Sequence, residues 1–182
     1  MVFLYVLALP GPEDLLKVGI SRHPLVRWES FHRRWFRAFD LDCSMLVETD
    51  TRAEAQAMET RLHRSLMGHQ CPIPLTIRLN AGGFTEWYRG VSSLAEEFVH
   101  AREQEGYVVH MRARHWLVPQ MREVGEGLHA VAAFAYEQHL AGRLQHDELD
   151  RLRALVEGQK AFDADIETMI PAEIRGALGL DQ

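Results

Sequence analysis

The chain has 182 residues, 47% hydrophobic and 25% charged, with a formal net charge of −6. That balance excludes a disordered chain, and no apolar run approaches the roughly 20 residues that a membrane-spanning helix needs. It leaves room for one full core, or for a domain of about 90 to 110 residues with a smaller helical companion, and the second arrangement is expected.

Residues 2–8 (VFLYVLA) and 15–20 (LLKVGI) read as two strands joined by the Pro-Gly-Pro loop LPGPED, a β-hairpin. Lys17 breaks the apolar pattern: on a two-residue period it faces away from Leu16, Val18 and Ile20, so it needs a partner or a task. Pro24 is well placed as a first helical residue, and Leu25, Trp28, Phe31 or His32, and Trp35 follow at spacings of three and four, which predicts one helix over 24–37.

LDCSMLVET (41–49) predicts a third strand. Thr51 and Glu54 make a capping box for a helix to about 67, with Ala55, Met58, Leu62 and Leu66 on its core face and Glu59 bordering that face. LTIRL is a candidate fourth strand, AGGF a turn before TEWYRG, and a helix over about 92–104 follows with Ser92 or Ser93 as cap. GYVVHMRARHWLVP is open between a strand and a short helix ending near Pro119. Beyond it, Met121, Val124, Leu128, Val131 and Ala135, then Leu149, Leu152 and Leu155 or Val156 after the cap candidate Asp147, recur at helical spacing.

Charge is unevenly spread. Lys17, Arg22, Arg27, Arg33, Arg34 and Arg37 fall within residues 17–37 with Glu29 alone opposing them, whereas the second half of the chain is acidic. A basic patch of that kind suits a phosphate backbone or, more plainly, a solvated helix face. Cys43 and Cys71 have no CxxC spacing and read as reduced thiols, and the first apolar stretch has no basic leader and stops at Pro10, so a cytoplasmic location is expected.

The motifs "FLYVL", "LLKVGIS", "PLVRW", "METRLHR" and "GGFTEWY", in this order over about residues 2–100, resemble the GIY-YIG nuclease superfamily. The resemblance is to the phage and bacterial branch in which a lysine replaces the second motif tyrosine. It implies an α/β (α+β) fold in which a small sheet is covered by helices, with a nuclease domain over 1–105 and a helical appendage over 106–182 for dimerisation, partner binding or bracing. It also implies an endonuclease that hydrolyses DNA phosphodiester bonds to 5′-phosphate and 3′-hydroxyl ends.

In that family pattern Glu59 holds one divalent cation, Mg²⁺ or Mn²⁺, Arg27 binds a nonbridging phosphate oxygen, and Tyr5 accepts the proton of the attacking water. A phenol with a pKa of about 10 is a poor base at neutrality. Lys17 could lower it, lose its own proton to the water, or clamp the phosphate, and the sequence does not choose among these. Arg22, Arg33, Arg34 and Arg37 are candidate DNA contacts.

Four further residues are candidate auxiliaries. His32 sits one place beyond the position where the family often has a His or Tyr, which here is Phe31. His63 lies one helical turn after Glu59, Asn80 is the candidate for the family asparagine, and Glu86 lies in the TEWY ending. Two other functions compete: a noncatalytic nucleic-acid-binding or regulatory module on the same fold, and a protein-interaction scaffold led by the helical half.

Overall fold

In the computed structural model, which describes residues 1–78 and 82–181, β1 (Val2–Ala8) and β2 (Leu15–Ser21) form the expected antiparallel hairpin, in register from Phe3 opposite Ser21 to Ala8 opposite Leu16. β3 (Asp40–Thr49) pairs with the other edge of β1. The register slips between Val6 and Ala8, and there the Ser44 hydroxyl accepts the Ala8 N–H at 3.0 Å, so this buried donor keeps a partner across the slip. Two short strands complete an antiparallel sheet of order β4-β2-β1-β3-β5: β4 (Trp87–Arg89) on β2 and β5 (Val109–His110) on β3.

The two-residue period sorts the side chains. Leu4, Val6, Leu16, Val18, Met45 and Val47 share one face, where they bury α3 (Arg52–Leu66) through Met58, Leu62 and Leu66, and α4 (Ser92–Gln104) through Ala95 and Val99. The opposite face carries Phe3, Tyr5 and Lys17. It is covered by α1 (Pro24–Phe31) and by aromatic edge contacts among Tyr5, Trp28, Phe31 and Trp116. Trp28 and Trp35 are core residues of this layer.

Several elements differ from the sequence expectation. The single helix over 24–37 is two: α1 stops at Phe31, and α2 (Trp35–Ala38) starts after His32 turns extended and its Nδ1 accepts the Arg34 N–H at 3.1 Å. A side chain that takes a backbone donor breaks the helical ladder. LTIRL is no strand over its described part: Leu75–Ile77 forms a turn closed by Ile77 N–H to Pro74 O at 3.0 Å. The fourth strand is β4 instead. The start of α4 is capped from a distance, Asp14 accepting from both the Ser92 amide (3.1 Å) and the Ser92 hydroxyl.

α5 (Ala113–Glu126) runs through Pro119 rather than ending there. α6 (Leu128–Leu140) follows after Gly127, and α7 (His146–Lys160) is capped by Gln145 with Glu148, leaving Asp147 inside the first turn. Short α8 (Ile166–Met169) and α9 (Ala172–Leu178) complete the chain. The chain divides into two compact units within α5, Met1–Trp116 and Leu117–Gln182. The expected boundary at 105/106 falls short because β5 belongs to the sheet and Trp116 to the aromatic layer beneath it.

The second unit has its own core of Leu128, Ala132, Leu152, Val156, Ile170 and Ile174. Val124 and Val131, at core spacing in the sequence, point outward. No helix among the described residues is long and apolar enough to cross a membrane.

Candidate functional site

β4 pairs with β2 only from Leu15 to Lys17, so the outer edge of β2 changes partner at Val18. There the Val18 N–H donates to Glu86 O at 3.1 Å, and the Val18 carbonyl accepts from Lys17 Nζ at 2.7 Å. Glu86, just before β4, also takes the Lys17 ammonium on its Oε2. Lys17 is wholly buried, and its ammonium lies 5.5 Å from the Phe31 ring centre and 5.9 Å from that of Trp87. Burial drives the Lys17 pKa below its ordinary value, with Glu86 pulling the other way.

Tyr5, directly opposite Gly19 and on the face that carries Lys17, is 1% exposed. Desolvation pushes its phenol up to about 12, although a hydrogen bond and the charge of Arg27 pull it down; Glu86 and Glu59 add to the rise. The cation that lowers the phenol's pKa is thus Arg27. Arg27 comes from α1, stacks on Phe31 with its guanidinium carbon 4.4 Å from the ring centre, and reaches Ser30 Oγ at 3.3 Å. Its fork is a phosphate-binding shape held by an aromatic floor.

Glu59 is 8% exposed on α3, with Oε2 accepting from the Gln56 amide at 2.6 Å. One turn on, His63 Nε2 stands 3.8 Å from Glu59 Oε1, while Nδ1 meets the Tyr88 hydroxyl at 2.6 Å. Glu59, His63 and Glu86 thus bring three potential ligand atoms within 4.8 Å of one another. They line an open cleft of about 390 Å³ with Gln56, Thr60 and Tyr88. α3 packs on the opposite sheet face from Tyr5, so the two halves of the site approach around the edge of β2, where Glu86 holds Lys17 and comes within 4.8 Å of donor atoms on Glu59 and His63.

Tyr5, Lys17, Arg27, Glu59, His63 and Glu86 are thereby brought together. His32 is not among them: it is half-buried and spends its Nδ1 on the turn between α1 and α2. Asn80 lies outside the described residues. Arg22 and Arg37 are exposed, and Arg33 and Arg34 half-buried, around that same turn and the β2–α1 junction.

Three participants escaped the sequence reading. A Cβ on Gly19 would lie 2.6 Å from Tyr5 Cζ, and one on Gly83, whose φ is +70°, would lie 2.5 Å from Glu86 Oε2 and 2.9 Å from Lys17 Nζ. An isolated glycine inside a strand is a signal of close approach and could have flagged Gly19. The third, Tyr88, looks like an ordinary strand aromatic, and nothing local marks it as the anchor of His63.

Comparison of the chain with family models, with curated proteins and with solved structures gives no match.

Proposed function

We propose that the first unit is a metal-dependent endonuclease of the GIY-YIG type, hydrolysing DNA phosphodiester bonds to leave 5′-phosphate and 3′-hydroxyl ends. The observation that carries this reading is that Tyr5 and Lys17 share one sheet face and that Glu86, which holds the Lys17 ammonium, also lies within 4.8 Å of donor atoms on Glu59 and His63. Phosphodiester hydrolysis needs an oriented water and fixed positive charge facing the oxygens where negative charge builds.

The donor set fits a divalent cation, since carboxylate oxygens and an imidazole nitrogen converge on one open cleft. Bound at Glu59, Mg²⁺ or Mn²⁺ would supply Lewis-acid charge to the phosphate and acidify a bound water. Arg27, always protonated, grips a nonbridging phosphate oxygen through its fork. Lys17 is a preset positive charge, held by Glu86 and the Val18 carbonyl. With a pKa of about 12, the Tyr5 phenol is neutral at physiological pH, so it orients the water through its hydroxyl and does not stand as a phenolate. Arg22, Arg33, Arg34 and Arg37 add sequence-independent attraction for the backbone. The helical second unit, acidic overall, is read as a dimerisation, partner-binding or bracing element.

The test is plasmid nicking with Mg²⁺ or Mn²⁺ by wild type, Glu59→Ala and Arg27→Ala. Nicking that each substitution abolishes supports the enzyme. Wild type that leaves plasmid and single-stranded DNA intact under both metals overturns it. The burial of Tyr5 and Lys17 favours a second reading, a noncatalytic nucleic-acid-binding module, which the same samples would reveal as salt-sensitive binding without cleavage.

A further inference from the structure

The family pattern asks for one carboxylate at the metal, and this chain offers three donors. Glu59 and His63 are four apart on α3, so both side chains leave the same helix face. Their nearest atoms, Oε1 and Nε2, are 3.8 Å apart. That is too long for a hydrogen bond. Two donors that each bond one ion at about 2.0–2.2 Å stand about 3.0–3.6 Å apart, so this pair has to close by only a few tenths of an ångström to share one.

Two independent features point the same way. His63 cannot turn freely, because its Nδ1 is held by the Tyr88 hydroxyl at 2.6 Å; this leaves Nε2 facing Glu59, the arrangement in which an outer group fixes a ligating imidazole. Glu59 is about nine-tenths buried, yet its hydrogen bond comes from the neutral Gln56 amide, with His63 Nε2 beyond it at 3.8 Å. A buried carboxylate calls for positive charge. Glu86 closes the third side with a carboxylate oxygen within 4.8 Å of the other two donors, and the same carboxylate holds the Lys17 ammonium.

We propose that Glu59, His63 and Glu86 together bind one divalent ion, and that the nitrogen ligand makes the site prefer Mn²⁺ to Mg²⁺. Mg²⁺ favours an all-oxygen shell with several waters, whereas first-row transition ions accept imidazole readily. The inference rests on the reading of Glu59 as the metal carboxylate and adds two ligands and a selectivity to it. It does not require cleavage of DNA.

The experiment therefore uses the full chain without nucleic acid. MnCl₂ and MgCl₂ are titrated by calorimetry, and free Mn²⁺ is followed by electron paramagnetic resonance, for wild type, Glu59→Gln, His63→Gln, Glu86→Gln and Tyr88→Phe. The expected result is one Mn²⁺ per chain in wild type, bound at least about tenfold tighter than Mg²⁺. His63→Gln should erase that preference by weakening Mn²⁺ alone, and Glu86→Gln should weaken both ions. Tyr88→Phe, which touches no ligand atom directly, should weaken Mn²⁺ by about tenfold. Circular dichroism on each variant confines the comparison to folded protein.

Wild type without bound Mn²⁺, or His63→Gln and Glu86→Gln chains that bind it as wild type does, overturns the inference. The nicking assay separates this from the enzymatic reading. A chain that binds Mn²⁺ through three donors and never nicks sinks the nuclease and keeps the metal site. A chain that nicks through Glu59 and ignores substitution of His63 and Glu86 does the reverse.

Discussion

Tyr5 and Gly19 face each other across the β1–β2 hairpin, and the phenol ring occupies the space that a side chain at residue 19 would need. Gly19→Ala would put a methyl 2.6 Å from Tyr5 Cζ, in a layer where Trp28 and Phe31 already hold the ring by edge contacts. The expected cost is about 1–3 kcal/mol, the range for overpacking a filled core, measured by urea unfolding. Gly68→Ala, with no atom within 4 Å of the added carbon, is the control and should stay within about 0.5 kcal/mol of wild type.

Gly83→Ala adds a second burden to the first. Its φ of +70° costs any L residue about 1–2 kcal/mol. In addition, the new carbon would crowd both Glu86 Oε2 and Lys17 Nζ. Gly90→Ala, at φ +71° with open space around it, carries the backbone cost alone. Gly83→Ala should therefore be the more destabilising of the two in the same denaturant series, and equal values would show that the Lys17–Glu86 pair yields easily.

The two partners of that pair are unequally wet: the Lys17 side chain is 0% exposed and that of Glu86 32%. Removing the carboxylate strands a buried ammonium, whereas removing the ammonium leaves a carboxylate that water can reach. Glu86→Ala should thus cost about 3 kcal/mol or more, and Lys17→Met about 1 kcal/mol. Equilibrium unfolding of both, with the double variant to close the cycle, reads this asymmetry; a larger loss in Lys17→Met would contradict it.

Alkaline pH reports on Tyr5. Its phenol titrates near 10 in the unfolded chain and at about 12 in the folded one, so between those values the folded state holds the extra proton. The stability tied to Tyr5 is complete below pH 10 and is lost as pH rises towards 12, by at most about 3 kcal/mol. Tyr5→Phe should make this alkaline slope shallower in unfolding free energies measured at pH 9, 10 and 11, the remainder belonging to Tyr88 and Tyr136, whose phenols are also raised. Lys17 works in the opposite sense: its pKa is lowered on folding, so its burial penalty is greatest in acid and relaxes as pH climbs towards 10.5. Lys17→Met should flatten that rise.

The parts of the fold readable from sequence are those written locally. Thr51 and Glu54 form the capping box that starts α3, and Lys17 between Leu16 and Val18 marks the polar exception on a buried strand. What sequence hides depends on distant partners. Asp14 caps α4 from 78 positions away, β4 is three residues long and exists because β2 offers it an edge, and His32 breaks a helix with its own side chain. The site divides in the same manner. Lys17 and Glu59 stand out by breaking an apolar pattern, whereas Tyr88 acts through His63, a contact that forms only when β4 lies beside α3.

The Asp14–Ser92 contact also constrains the order in which the chain assembles. The first turn of α4 has no cap of its own, because Val91 stands where a polar residue would serve. That turn stays frayed until the hairpin loop closes and presents its carboxylate. The amide of Ser92 then reports hairpin closure, and its hydrogen-exchange protection should appear after that of β1 and β2 during refolding.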